Sequence, residues 1–145
     1  MTVDLGAVLS SAVGQAAGRG WNVTLICPDH VRVAVDPLRL QRVLTGFLAA
    51  SFLKGAEHAG IVVDAREDLA MVSIGDDGPL GSWEGEGRPP EVAHQLERAE
   101  KALTGSNVTV GWVSAEGVSM YILRLERQEA EAAEAAALGE PQVSA

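Results

Sequence analysis

Between Asp4 and Ala17 the apolar residues Leu5, Val8, Leu9, Ala12, Val13 and Ala16 recur at the three-four spacing of an amphipathic helix, and Gly18-Arg19-Gly20 marks its end. From Trp21 the period falls to two. Trp21, Val23, Leu25 and Cys27 alternate with Asn22 and Thr24, and after Pro28-Asp29-His30 the run Val31 to Val35 alternates again, which predicts a hairpin. Asp36-Pro37 predicts a helix start, because Asp caps free N–H groups and Pro fits the first helical position. Leu40, Val43, Leu44, Phe47, Leu48 and Leu53 follow at helical spacing, so this helix runs to about Lys54 with Gly55 as its stop.

Ile61 to Ala65 and Leu69 to Ile74 are β-rich runs joined by the charged turn Arg66-Glu67-Asp68, a second hairpin signal. The stretch Gly75 to Pro90, rich in Gly and Pro, breaks all periodicity and reads as loop. A third helix spans Glu91 to Leu103, with Val92, Leu96, Ala99, Ala102 and Leu103 as its apolar stripe and Gly105 closing it. Strands over Asn107 to Val113 and Gly117 to Leu125 then flank Ser114-Ala115-Glu116. The order predicts a two-layer α/β sandwich, three helices on one face of a mixed, largely antiparallel sheet of five or six strands. It occupies residues 1–126. Residues 127–145 form an Ala/Glu-rich tail, strong in helix formers but with little to dock it firmly, so a protruding or fraying helical tail is expected.

With 145 residues, 47% of them hydrophobic, the chain has one domain's worth of core. Lys and Arg number 11 against 20 Asp and Glu, a formal net charge of −9, and no basic run is present. Nucleic acid and anionic lipid both require local positive charge, so neither is an expected partner. Cys27 is the sole cysteine, which excludes an internal disulfide framework and a cysteine metal cage. The start Met1-Thr2-Val3-Asp4 lacks a secretory signal, and no apolar stretch approaches a membrane span; a cytoplasmic protein without membrane insertion is expected. The triplets at Asn22 and Asn107 match the glycosylation pattern, but they lie in strand-like runs and read as chance.

Four segments together, Val3-Asp4-Leu5, Asp36-Pro37-Leu38-Arg39-Leu40, Val43-Leu44 and Val72-Ser73-Ile74-Gly75-Asp76-Asp77-Gly78-Pro79, resemble the catalytic, ATP-binding domain of sensor histidine kinases. That domain shares its fold with gyrase and MutL, and the resemblance covers roughly Val3 to Glu126. It implies a nucleotide site whose parts can be checked one by one. Kinases of this family carry Asn-Leu-Leu-x-Asn-Ala-x-Lys on the helix after Asp-Pro, the second Asn holding Mg²⁺ between the phosphates. Here Gly46 and Ala50 stand at the two Asn positions, and neither offers the oxygen a hard cation requires. The family's Asp-x-Gly-x-Gly box supplies an Asp that accepts from the adenine amino group. Asp76 and Gly78 match it, while Leu80 replaces the second Gly. The second glycine box should cover the phosphates at the start of the third helix. That start reads Arg88-Pro89-Pro90-Glu91-Val92, in which the prolines have no N–H to offer and Glu91 repels phosphate. Gly85-Glu86-Gly87 is a short acidic remnant. The helical hairpin that bears the phosphorylated His in these kinases has no counterpart in this sequence, so a complete kinase is not expected.

Asp76 and Gly78 are therefore the candidate cofactor-binding residues, conditional on nucleotide binding surviving; no catalytic residue, metal ligand or resident cofactor is expected. Against this stands the plain reading of Asp76 as a turn residue. Asp77, beside Asp76, lacks a third acidic partner nearby in sequence, which argues against acid–base chemistry. His94 in Ala93-His94-Gln95-Leu96-Glu97-Arg98 superficially resembles a phosphoacceptor motif, yet it falls on the third helix and reads first as a surface histidine. His30 and His58 fall at a turn and a helix end, and the three histidines form no metal-ligand spacing. Trp83, in the Gly-rich loop, would anchor a partner or fold over the vacated pocket.

The expected function is thus a non-catalytic histidine-kinase-like domain, a pseudo-enzyme acting as an interaction or regulatory module in bacterial signalling. Its expected partner is a receiver domain or a kinase, with a homodimer possible. The alternatives are an adenine-nucleotide-binding protein that keeps Asp76, and a phosphotransfer protein using His94.

Overall fold

The computed structural model describes residues 2–53, 55–77, 90–104, 108–115 and 118–127. Its elements are β1 (Val3–Asp4), α1 (Leu5–Gly18), β2 (Asn22–Ile26), β3 (Arg32–Val33), α2 (Pro37–Leu53), β4 (His58–Ala65), β5 (Leu69–Asp76), α3 (Pro90–Ala102), β6 (Val108–Ala115) and β7 (Val118–Glu126). Strands β2-β4-β5-β7-β6 form a five-stranded sheet, and β1 pairs with β3 in a separate two-stranded one. The three helices pack against the larger sheet, as the pattern predicts. The Gly-rich loop 78–89, with Gly78, Trp83 and Gly85-Glu86-Gly87, and the tail from 128 lie outside the described residues.

The helix ends follow the local chemistry. Asp4 caps α1, its Oδ1 accepting from the Gly6 N–H at 3.0 Å. Asp36 does the same for α2, accepting from Leu38 at 2.9 Å and Arg39 at 3.3 Å. At the far ends Gly20 (φ 81°) and Gly55 (φ 102°) take the left-handed conformation. Trp21 N–H then reaches Ala16 O at 2.9 Å, and Ala56 N–H reaches Ser51 O at 3.3 Å, so the last carbonyls of both helices are satisfied.

The expected hairpin between Trp21–Cys27 and Val31–Val35 does not form. Strand β2 instead pairs in parallel with β4, Asn22 opposite His58 through Ile26 opposite Val62. Strand β3 pairs with β1, Val3 opposite Val33. His30 explains the divergence: with φ 61° it swings the chain away from β2, and the Val31 carbonyl accepts from the Leu5 N–H at 2.8 Å. His58 is likewise the first residue of β4 and not a helix end.

The remaining strands form antiparallel pairs, β4 with β5, β5 with β7, and β6 with β7. Alternation puts Ala59, Ile61, Val63, Ala70, Val72, Ile74, Tyr121, Leu123 and Leu125 into the core. The helices meet them with Leu5, Leu9, Leu40, Leu44, Phe47, Leu48 and Leu96. Among the described residues no helix is long and apolar enough to cross a membrane.

Candidate functional site

Asp76 is the last residue of β5, opposite Ala59. It continues the alternation of Ala70, Val72 and Ile74, so it lies on the helix-facing side of the sheet and is half-buried. Gly78, its companion in the sequence reading, lies outside the described residues.

On α2, Gly46 and Ala50 share one face, a turn apart. The helix α3 comes close at Gly46: a Cβ built there would lie 2.9 Å from Gln95 Oε1. An asparagine at position 46 would displace the Gln95 side chain. Ala50 is buried and presents a methyl group. Phe47, between them in sequence, stacks on Tyr121 with ring centroids 4.1 Å apart and planes 8° apart, which ties α2 to β7. Leu40, Val43, Leu44, Phe47 and Leu48 of this helix serve the core, while Leu38 and Leu53 at its two ends are exposed.

One turn on, Ser51 is 1% exposed and its Oγ has no hydrogen-bond partner. A buried hydroxyl without a partner costs stability, so Ser51→Ala, which removes the orphan and leaves the helix intact, is expected to stabilise the fold by about 1 kcal/mol. A rise in the urea midpoint with an unchanged slope is the check. At the end of the helix, Phe52 stacks on Trp21 at 5.3 Å, and the Arg19 guanidinium sits 5.2 Å over the same indole.

Asp77 closes the sheet beside this region. Its Oδ1 accepts from the backbone N–H groups of Glu57 (2.8 Å) and His58 (2.9 Å), and its Oδ2 lies 3.1 Å from His58 Nδ1. Its own N–H donates to His58 O at 3.1 Å. The bond from the His58 N–H, then that from Glu57, holds its carboxyl below the ordinary value of 3.8. A depressed folded-state pKa means stability that is fully present above 3.8 and lost as pH falls through the lower folded value. Asp77→Asn keeps an oxygen acceptor and loses the charge. The difference in melting temperature between it and the parent protein should therefore be constant near neutral pH and shrink below pH 3.8. The groups are exposed, so the whole effect should be modest and weaken with salt.

Glu57, His58 and Asp77 bring potential ligand atoms within 4.8 Å of one another, all on exposed side chains. Sequence reasoning missed this grouping, because only the β4–β5 register places residue 77 beside residues 57 and 58. His94 is exposed on α3, as a surface histidine. Cys27 is half-buried, and burial, with Asp4 and then Asp29 nearby, pushes its thiol pKa up and away from nucleophilic use. Gln95 was also missed, since nothing in its local sequence marks it as the neighbour of Gly46.

The sandwich, with Asp76 at the end of β5 and α2 and α3 packed above the sheet, is the fold of histidine kinase catalytic, ATP-binding domains. Solved structures of this class superpose on most of the chain. The catalytic domain of histidine kinase ThkA matches with a TM-score of 0.70 at 14% identity, over 88% of this chain and 96% of that one. Acinetobacter baumannii histidine kinase AdeS gives 0.69 at 14% identity, over 87% of this chain and 66% of that one. The kinase domain of the E. coli osmosensor EnvZ gives 0.61 at 16% identity, over 86% of both chains. No protein-family model and no curated protein matches the sequence. At these identities the likeness defines the fold and leaves the chemistry to the residues.

Proposed function

We propose that this chain is a non-catalytic histidine-kinase-like domain, an interaction or regulatory module of bacterial signal transduction. One observation carries the reading: where the kinase family places two asparagines, this chain has Gly46 and Ala50, and Gln95 of α3 leaves no room for a Cβ at position 46 without moving. A hard cation needs oxygen ligands, and these positions supply none. Phosphate then lacks its metal. Histidine kinase ThkA has been solved in complex with the response regulator TrrA, and a receiver domain is accordingly the partner class favoured for this chain.

A second reading is adenine-nucleotide binding without Mg²⁺, favoured by the position of Asp76 on the helix-facing side of the sheet. Titration calorimetry with ATP and ADP, with and without Mg²⁺, separates the two. The expected result is no heat up to millimolar nucleotide from folded protein. Binding that strengthens with Mg²⁺ would overturn the non-catalytic reading. Binding indifferent to Mg²⁺ and abolished by Asp76→Ala would establish the second. The phosphotransfer reading on His94 gains no support from the structure beyond the residue's exposure.

A further inference from the structure

Glu57, His58 and Asp77 converge at the corner where β4 begins and β5 ends, with ligand-capable atoms within 4.8 Å of one another and all three side chains exposed. The Asp77 carboxylate is fixed there by the backbone. Its Oδ1 accepts from the Glu57 and His58 N–H groups at 2.8 and 2.9 Å, and its own N–H donates to His58 O at 3.1 Å. Oδ2 is left facing His58 Nδ1 at 3.1 Å. Two ligands of a tetrahedral zinc ion, each about 2.0–2.1 Å from the metal, stand about 3.3 Å from each other. The His58–Asp77 spacing is therefore already close to one edge of such a tetrahedron. Among the described residues no Lys or Arg forms an ion pair with the Glu57 or Asp77 carboxylate.

We infer that His58 Nδ1, Asp77 Oδ2 and a Glu57 carboxylate oxygen bind a divalent transition-metal ion of the zinc class, with water in the fourth position. Three features select this ligand. An imidazole nitrogen beside two carboxylates is a donor set that zinc-class ions take, whereas Mg²⁺ and Ca²⁺ are held by oxygen alone. The two backbone bonds to Oδ1 orient the Asp77 carboxylate as outer-shell contacts do in metal sites, so that Oδ2 serves as a one-point ligand. Exposure leaves the fourth position open to water and lets the longer Glu57 side chain move in to complete the set. On binding, neutral His58 keeps its proton on Nε2 and presents Nδ1 to the ion, and two metal–ligand bonds replace the His58–Asp77 hydrogen bond. The ion thereby joins the start of β4 to the residue that follows β5, beside Asp76. A His58–Asp77 hydrogen bond with no metal is the competing account, and it gives the Glu57 side chain no part. The inference does not depend on the interaction-module reading, since it uses neither Gly46 nor Ala50.

Titration calorimetry of the untagged full chain with zinc chloride, beside thermal melts at rising zinc, tests the inference. The expected result is one ion per chain and a melting temperature that climbs with zinc. Glu57→Gln, His58→Gln and Asp77→Asn should each weaken binding at least about tenfold. Cys27→Ser and His94→Gln, which remove the lone thiol and the exposed imidazole of α3, should leave affinity unchanged, and millimolar Mg²⁺ should not displace the zinc. Glu57→Gln alters an exposed side chain that the hydrogen bonds to Asp77 do not use, so it covers the case in which the other two ligand variants disturb the corner. Neither heat nor a melting shift up to about 0.1 mM zinc would overturn the inference. So would full affinity in Glu57→Gln, which would reduce the corner to its hydrogen bond, loss of binding in Cys27→Ser, or displacement by Mg²⁺.

Discussion

Truncating Phe47 to alanine is expected to lower the unfolding free energy by about 3–5 kcal/mol, the range for removing a buried aromatic side chain. Phe47 is 1% exposed, lies midway along α2 and stacks face to face on Tyr121 of β7. The substitution therefore removes transfer energy, leaves a cavity between helix and sheet, and breaks the ring contact that fixes their spacing. Native stabilities are small, so a loss of this size threatens the folded state itself at 37 °C. Urea unfolding of Phe47→Ala beside Phe47→Leu measures it. The leucine variant fills much of the volume and should lose distinctly less. Equal losses would mean that the stack, and not the filled volume, carries the energy; a loss under about 1 kcal/mol for alanine would contradict the packing account.

Leu96→Ala is the second large effect, at about 2–5 kcal/mol. Leu96, 2% exposed, sits in the stripe Val92, Leu96, Ala99 and Leu103 by which α3 meets the core. The loss should be unevenly distributed. Helix α3 borders both α2 and β6, while β5 lies at the middle of the sheet with β4 and β7 on its flanks. Hydrogen exchange in Leu96→Ala should consequently accelerate first over residues 92–102, at denaturant concentrations where β5 is still protected. Uniform acceleration of both elements would show that α3 is part of one cooperative unit with the sheet.

The parts of the fold written in local chemistry were legible in the sequence. Asp36-Pro37 announces α2, Gly20 and Gly55 end two helices, and period-two alternation marks β4, β5, β6 and β7. What local pattern does not contain is the choice of partner. The runs at 22–26 and 31–35 look like a hairpin because they are close in sequence, yet β2 pairs with β4 and β3 with β1. The same limit applies to the site. Asp76 stands out as a motif residue, and the alternation that ends in it puts it on the helix-facing side of β5. The tether of Asp77 to residues 57 and 58, and the approach of Gln95 to Gly46, depend on register and helix packing that no single segment encodes.

The pairing of β5 with β7 also bears on the order of assembly. Strands β4 and β5 form one local hairpin and β6 and β7 another, whereas β5 reaches β7 only after α3 and β6 have been laid down between them; Gly75 to Met120 and Leu69 to Glu126 are farther apart along the chain than Asn22 and His58 of the β2–β4 pair. Closing that long loop costs chain entropy before any strand contact offsets it. The centre of the sheet is therefore its late-forming seam, where two hairpins made separately are joined.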